Sequence, residues 1–263
     1  MSSLECKNFS NTYHSAKIEN LIRKLEFQSS RFRIEIFIKF IYKHTQMILD
    51  LFFPNRCIHC NRIIDGKLLV CNICFEQIHF THLEYAEENI LKEKCKLLFP
   101  IENAYALMQF EQENLSRKII HQLKYRSREI TGKIVADWVT ENLDFKHKKP
   151  DLLVSVPLHP KKEKERGYNQ LHLFTKTLSE FYKIPHEHHL LKRNHYSKAQ
   201  ALRDKKHRLE TQNTFSLTNK ISNQHILLID DVFTTGNTLA TIAWEILKEG
   251  NNRVSVLVMA MDE

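Results

Sequence analysis

The sequence predicts an α/β fold: a parallel sheet with flanking helices, preceded by a small four-cysteine zinc ribbon. Three observations lead there. Beyond residue 100, apolar runs of strand type alternate with helical patterns, as parallel strands joined by helical crossovers require. Ahead of them stand two CxxC pairs, Cys57-Ile-His-Cys60 and Cys71-Asn-Ile-Cys74, ten residues apart. Near the C-terminus, residues 226–239 read as a strand ending in two acids, then a hydroxyl-rich turn, then a helix.

Taken in order, residues 1–53 form an N-terminal extension. Its first 31 residues are polar and patternless, while Ile34, Phe37, Ile38, Ile41, Ile48, Leu51 and Phe52 make a helical stripe. Arg33, Glu35, Lys39, Lys43 and Asp50 interrupt that stretch, so it is not read as a membrane span. The start of the chain lacks the charged head and apolar core of a secretory signal, which points to the cytoplasm, where thiols stay reduced. Residues 54–100, framed by Pro54 and Pro100, hold the cysteine pairs, with Gly66 between them for a turn. Residues 101–263 form the main domain. Strands are expected at Ala104–Phe110, Leu152–Val156, Ile226–Ile229 and Val254–Met259, and helices at Leu115–Tyr125, Lys133–Leu143, Asn169–Tyr182 and Asn237–Glu249.

Reduced thiols at this spacing suit one structural zinc held by Cys57, Cys60, Cys71 and Cys74. A redox CxxC is the rival reading, but the small module offers no βαβ context for it. Cys6 and Cys95 have no partner pair and read as plain thiols.

The acids Asp230 and Asp231 can accept hydrogen bonds from two sugar hydroxyls or hold a cation through water. Behind them Thr234, Thr235, Gly236, Asn237 and Thr238 lead into a helix whose first N–H groups can hold a phosphate dianion. That combination describes a phosphosugar site. In an open α/β sheet the ligand lies beyond the carboxyl ends of the strands, so the basic loop after residue 156 should face the same pocket. There Lys161, Lys162 and Arg166 are cations available to an anionic group. By itself such a mixed-charge run reads as a solvated loop, and its place after the strand, together with the family resemblance given next, is what turns them toward a pyrophosphate leaving group. Thirty-nine Lys and Arg against 31 Asp and Glu give a formal charge of +8, which favours polyanionic ligands. No Walker loop, G-x-S-x-G elbow, H-E-x-x-H or dinucleotide fingerprint occurs.

Residues 226–239 resemble the phosphoribosyl-pyrophosphate signature of type I phosphoribosyltransferases. Residues 156–170, Leu123-Lys-Tyr-Arg126 and Lys198-Ala-Gln-Ala201 resemble the ComF/GntX-like branch of that superfamily, in which a cysteine ribbon precedes the transferase-like part. The resemblance covers about residues 50–262. It implies a type I phosphoribosyltransferase-like domain at 101–263 that binds phosphoribosyl pyrophosphate with magnesium, with Asp230, Asp231 and Arg166 in the catalytic set. It also implies a link to DNA uptake in natural competence, with other competence proteins as partners. The run 192–208 holds seven Lys or Arg in seventeen residues, with Tyr196 among them. It reads as a flap closing over the phosphosugar, as a groove for single-stranded DNA built on Arg193, Tyr196, Lys205, Lys206 and Arg208, or as an exposed charged helix with neither role. Two functions stay open: a phosphoribosyl transferase with an unidentified acceptor, and a non-catalytic phosphosugar sensor that binds single-stranded DNA.

Overall fold

The computed structural model describes residues 52–66, 68–111, 115–124, 130–194, 214–248 and 250–262. The chain divides into two compact units, Met1–Asn55 and Arg56–Glu263. The stripe expected between residues 32 and 53 lies almost wholly outside the described residues.

The second unit is built on five parallel strands. These are β1 (Ala104–Gln109), β2 (Leu152–Ser155), β3 (His186–Glu187), β6 (His225–Phe233) and β7 (Arg253–Met261), in the spatial order β1-β7-β6-β2-β3. A separate antiparallel hairpin pairs β4 (Leu191–Arg193) with β5 (Phe215–Leu217). The central strands β6 and β7 are continuous apolar runs because a strand with neighbours on both sides and helices on its faces meets little water. Ile226, Leu227, Leu228, Ile229, Val256, Leu257 and Val258 are all fully buried.

Three long helices cover the sheet: α4 (Ile130–Asn142), α6 (Leu171–Tyr182) and α7 (Asn237–Leu247). Short ones are α1 (Asn72–Phe75), α2 (Ile90–Lys96), α3 (Leu115–Gln122) and α5 (Pro160–Arg166). Helices α4 and α6 pack on each other, and α6 lies on β2 and β6, whereas α7 lies on β5, β6 and β7. Gly132 sits inside α4 rather than opening it. A Cβ there would stand 3.4 Å from the Gln170 carbonyl and 3.5 Å from the Phe174 nitrogen, so its absence lets α4 press against the start of α6.

The cysteine ribbon is fastened to the same body. Phe80 bridges Met108 in antiparallel fashion, Thr81 N–H donates to the Leu107 carbonyl at 3.0 Å, and Gln109 N–H donates to the His79 carbonyl at 2.8 Å. The module thereby covers the free edge of β1, which would otherwise be open to pairing with another chain. Phe75 meets Trp138 of α4 edge-on at 5.3 Å and tilts against Phe80 at 5.4 Å, giving this seam an aromatic core. Among the described residues no helix is long and apolar enough to cross a membrane.

The expected strands and long helices all occur, with shifted ends. Strand β6 runs on through the acids to Phe233 because β7 accompanies it, pairing Asp230 with Val258 and Phe233 with Met261. The basic loop after residue 159 is instead the helix α5. Its N-cap His159 accepts the Lys161 N–H at Nδ1, Pro160 takes the first position, and Gly167, at φ 78°, closes it through its N–H to the Glu163 carbonyl. Helix α6 begins at Leu171, two residues later than expected, which frees Asn169 and Gln170 for tertiary bonds.

This seam predicts a coupling. Replacing Cys71 and Cys74 with Ser should loosen the ribbon and raise amide exchange at Gln109 by about tenfold or more, as the β1 edge opens locally. Hydrogen–deuterium exchange with residue-level readout, beside the wild type, checks it.

Candidate functional site

The sense in which successive strands are added reverses between β2 and β6. From β2 the chain passes through α6 to β3 at one edge, and from β6 it passes through α7 to β7 on the opposite side. Such a switch point leaves a crevice beyond the carboxyl ends of the two strands. The last β2–β6 pair is Ser155 with Ile229, and Val156 N–H closes it by donating to the Ile229 carbonyl at 2.9 Å. Asp230 and Asp231 come immediately after, where β6 has lost its β2 neighbour but still holds β7.

The two carboxyls are not equivalent. Asp230 folds back to accept the N–H of Asp231 at 2.8 Å. Burial of its carboxyl, reinforced by the charge of Asp231, raises its pKa well above the usual carboxylate range, against the opposing pull of that N–H and of Arg193. Asp231 instead accepts from Gln170 Nε2 at 3.2 Å, while Gln170 Oε1 accepts from the Arg166 guanidinium at 2.9 Å. Arg166 and the acid pair are therefore brought together across the crevice through one buried amide. Gln170 is held for this task by the close approach of Gly132 and by its neighbour Asn169, whose Nδ2 donates to the Val156 carbonyl at 3.1 Å and whose Oδ1 accepts from Leu171 N–H. Tyr168 anchors the same turn to the Leu123 carbonyl at 2.7 Å.

On the far side of the acids, Thr234–Gly236 turn the chain into α7. Gly236 adopts φ 72° at the N-cap, and a Cβ there would meet Leu98 at 2.5 Å and the Phe233 ring at 2.9 Å. Glycine is thus required twice, by dihedral and by space. No side chain caps α7, so its first-turn N–H groups and dipole are left for an external anion. Thr234, Thr235 and Asn237 are exposed, and Thr238 is half-buried. Lys161 and Lys162 stand exposed on the first turn of α5, and among the described residues no ion pair ties them to the acids. Arg193 lies over the Phe215 ring at 5.2 Å on β4, near enough to Asp230 to affect its charge. Tyr196, Lys205, Lys206 and Arg208 lie outside the described residues.

The metal-ligating sulfurs of Cys57, Cys60, Cys71 and Cys74 all lie within 4.8 Å of one another, an all-sulfur set of structural zinc type. The Cys57 thiol is driven down to about 6: burial opposes this, but the backbone N–H groups of Cys60, Cys71 and His59 outweigh it. Burial and the neighbouring thiols push Cys74 up to about 12. A divalent cation relieves that conflict by favouring every thiolate at once. His79 pairs with Glu111 at 2.5 Å and His59 contacts Lys118 at 3.2 Å. Cys95 is fully buried in α2.

Sequence reasoning missed the role of Gln170, whose only signal was its place between a basic stretch and a helix. It also missed the imidazoles of His172, His186, His188 and His189, although three of them stand in the run His186-Glu-His-His189.

Residues 48–85 match the double zinc ribbon domain family. Competence protein F of Haemophilus influenzae is 28% identical over 230 residues, spanning 80% of this chain and 98% of that protein. The DNA utilization protein YhgH of Escherichia coli O157:H7 is 31% identical over 144 residues, covering 52% of this chain but only 63% of its own length. The crystal structure of a purine phosphoribosyltransferase from Pyrococcus horikoshii Ot3 aligns at 15% identity over 60% of this chain and 78% of its own, with a TM-score of 0.31.

The state of Asp230 gives a signed expectation. A carboxyl whose pKa is raised by folding binds more protons in the folded chain than in the unfolded one, so stability falls as pH rises above the ordinary carboxylate range. Asp230→Asn should remove that decline and raise the melting temperature of the ligand-free protein near pH 7 by about 2–4 °C for each kcal/mol released. Thermal unfolding of both proteins from about pH 4 to about pH 8 tests this.

Proposed function

The chain belongs to the ComF family, with an N-terminal zinc ribbon, and from that footing we propose that it binds phosphoribosyl pyrophosphate at the switch point and transfers its phosphoribosyl group to an acceptor, in a role tied to DNA uptake. The observation that carries this reading is the acid pair, with Arg166 joined to it through Gln170 on one side and the uncapped start of α7 on the other.

Each part answers one part of such a ligand. Asp230 and Asp231 accept from the ribose hydroxyls, the N–H groups and hydroxyls of Thr234–Thr238 hold the 5′-phosphate, and Arg166, Lys161 and Lys162 face the pyrophosphate. As the anomeric bond breaks, positive charge grows on the sugar ring, and two carboxylates beside it stabilise that charge. Two adjacent acids and ligand oxygens form the oxygen-rich donor set that magnesium prefers, and the ion would supply charge neutralisation at the pyrophosphate. It would also favour the ionised form of Asp230 over the protonated one.

A second reading, a non-catalytic phosphosugar sensor that binds single-stranded DNA, is favoured by the name of the Escherichia coli relative and by Arg193 at the head of the basic run. The link to competence comes from the Haemophilus relative's name, and partners among other competence proteins belong to both readings.

Phosphoribosyl pyrophosphate with magnesium should raise the melting temperature of the wild type, since a ligand that binds only the folded state stabilises it by mass action. Asp230→Asn plus Asp231→Asn should weaken binding in calorimetry by about two to four powers of ten, given roughly 1.5–3 kcal/mol for each charge-assisted hydrogen bond. Unchanged affinity would place the sugar elsewhere. Pyrophosphate release with one member of an acceptor panel identifies the transferase; tight binding without release, together with salt-sensitive retention of a labelled single strand, identifies the sensor.

A further inference from the structure

Beside the crevice lies a cavity of about 310 Å³ that the transferase reading leaves unused. Its walls are Pro157 and Leu158 after β2, His172 of α6, His188 and His189 after β3, and Arg193 of β4. The rings of His172 and His188 stack at 3.9 Å with 25° between their planes. His186 stands 4.7 Å from His188, and His189 meets His172 edge-on at 6.4 Å. Ser155 Oγ lies 3.2 Å from His188 Nδ1, and Ser179 Oγ lies 2.9 Å from His186 Nδ1, so two of the imidazoles are oriented by hydroxyls.

The charges around this stack favour an anion. Lys192 and Arg193 supply two fixed cations at the wall, and Arg193 is held in place over Phe215. Of the two acids present, Glu187 already accepts the His189 N–H at 2.9 Å. Among the described residues, Glu163 remains at the wall as the counter-charge facing His172. Burial and the neighbouring rings keep the stack uncharged in the free protein. The His172 pKa is lowered, and that of His188 falls to about 4, with His172, His186 and His189 adding to the effect of burial and Glu187 opposing it. With the His172 and His188 rings stacked at 3.9 Å and half-buried, positive charge on that pair is disfavoured, and a negative group entering beside it offsets the cost. A tetrahedral phosphate oxygen set suits both the planar fork of Arg193 and a newly protonated imidazole.

We propose that this cavity is a second binding site, adjoining the crevice, for the phosphate group of an anionic ligand, and that the anion enters together with a proton taken up by the His172–His188 pair. The proposal goes beyond the transferase reading and does not depend on it, since none of its residues holds the ribose. A phosphosugar and a nucleic-acid backbone offer the same phosphate chemistry, and competition separates these sources.

The sign follows from linkage. The free stack is neutral and the bound stack charged, so affinity rises as pH falls from neutrality toward the free His188 value of about 4, by up to about tenfold per pH unit for one proton. Calorimetry of the full chain is run with inorganic pyrophosphate, and with sulfate, whose own charge stays fixed over this range, in buffers of different ionisation heat. The expected result is uptake of up to one proton per sulfate, with affinity falling as pH rises. Arg193→Gln should weaken both anions by about tenfold or more. His188→Asn should abolish the proton uptake and flatten the pH slope; if that variant does not fold, His172→Gln, at the half-buried partner ring on α6, reports the same quantity. Asp230→Asn plus Asp231→Asn should not weaken sulfate, even if it abolishes phosphosugar binding. Displacement of sulfate by a short oligodeoxythymidylate assigns the site to a nucleic-acid backbone, and displacement only by the phosphosugar assigns it to the smaller ligand. Sulfate affinity independent of pH, binding without proton uptake, binding untouched by Arg193→Gln, or no binding at millimolar anion would each overturn the proposal.

Discussion

Two carboxyls on consecutive residues, placed where a strand loses one neighbour, are the constraint around which the rest of the site is arranged. Burial of the Asp230 carboxyl, reinforced by repulsion from Asp231 beside it, makes Asp230 hold its proton more tightly than a carboxyl in water does. A fold selected only for stability has no use for such a pair. Everything that bears on it compensates in part and none of it neutralises the pair: the Asp231 N–H turned on Asp230, the Gln170 amide on Asp231, and Arg193 at a distance. The remaining shortfall is what a ligand with hydroxyls and a cation can make good. The electrostatic cost of the fold is therefore concentrated on the same two residues that the proposed ligand would meet.

The zinc ribbon belongs to this arrangement through the sheet. It is sewn along β1 by main-chain bonds and an aromatic seam, and β1 is bonded to β7, which in turn accompanies β6 to its end. Leu98, just past α2, fills the space next to Gly236 and so helps define the turn from β6 into α7. A module that could have hung from the main domain as a separate bead instead forms part of its wall.

Much of this was legible in the chain. Residues 226–239 concentrate strand, acids, turn and helix in one continuous stretch, so a local reading is enough, and the cysteine spacing is equally self-contained. What escaped it depends on contacts between distant residues or on patterns too short to register. Strand β3 has two residues and β4 and β5 three each, below the length at which alternation shows. Helix α5 is so uniformly charged that no apolar stripe announces it; its signals were a proline at its start and a glycine at its end, both visible but read as loop. The acids were expected beyond the strand because the sequence shows where the apolar run stops but not that β7 keeps pairing past it. Gly132 stands just ahead of the expected helix Lys133–Leu143, and only the packing of α6 against it shows why α4 carries a glycine inside it. The imidazole stack joins α6 to the segment after β3, which no periodicity links.

The amide of Gln170 has a consequence in the way it separates charge. An arginine and an aspartate facing each other across a narrow crevice would ordinarily collapse into direct contact, each satisfying the other and leaving nothing for a visitor. A neutral dipole wedged between them, oxygen toward the cation and nitrogen toward the anion, works like the insulating layer of a capacitor. It keeps the two poles apart and the field across the gap standing. For the ligand proposed above, a sugar ring that tends to positive charge and carries a negative group, that field would already be set up, and entry would not require breaking an ion pair first.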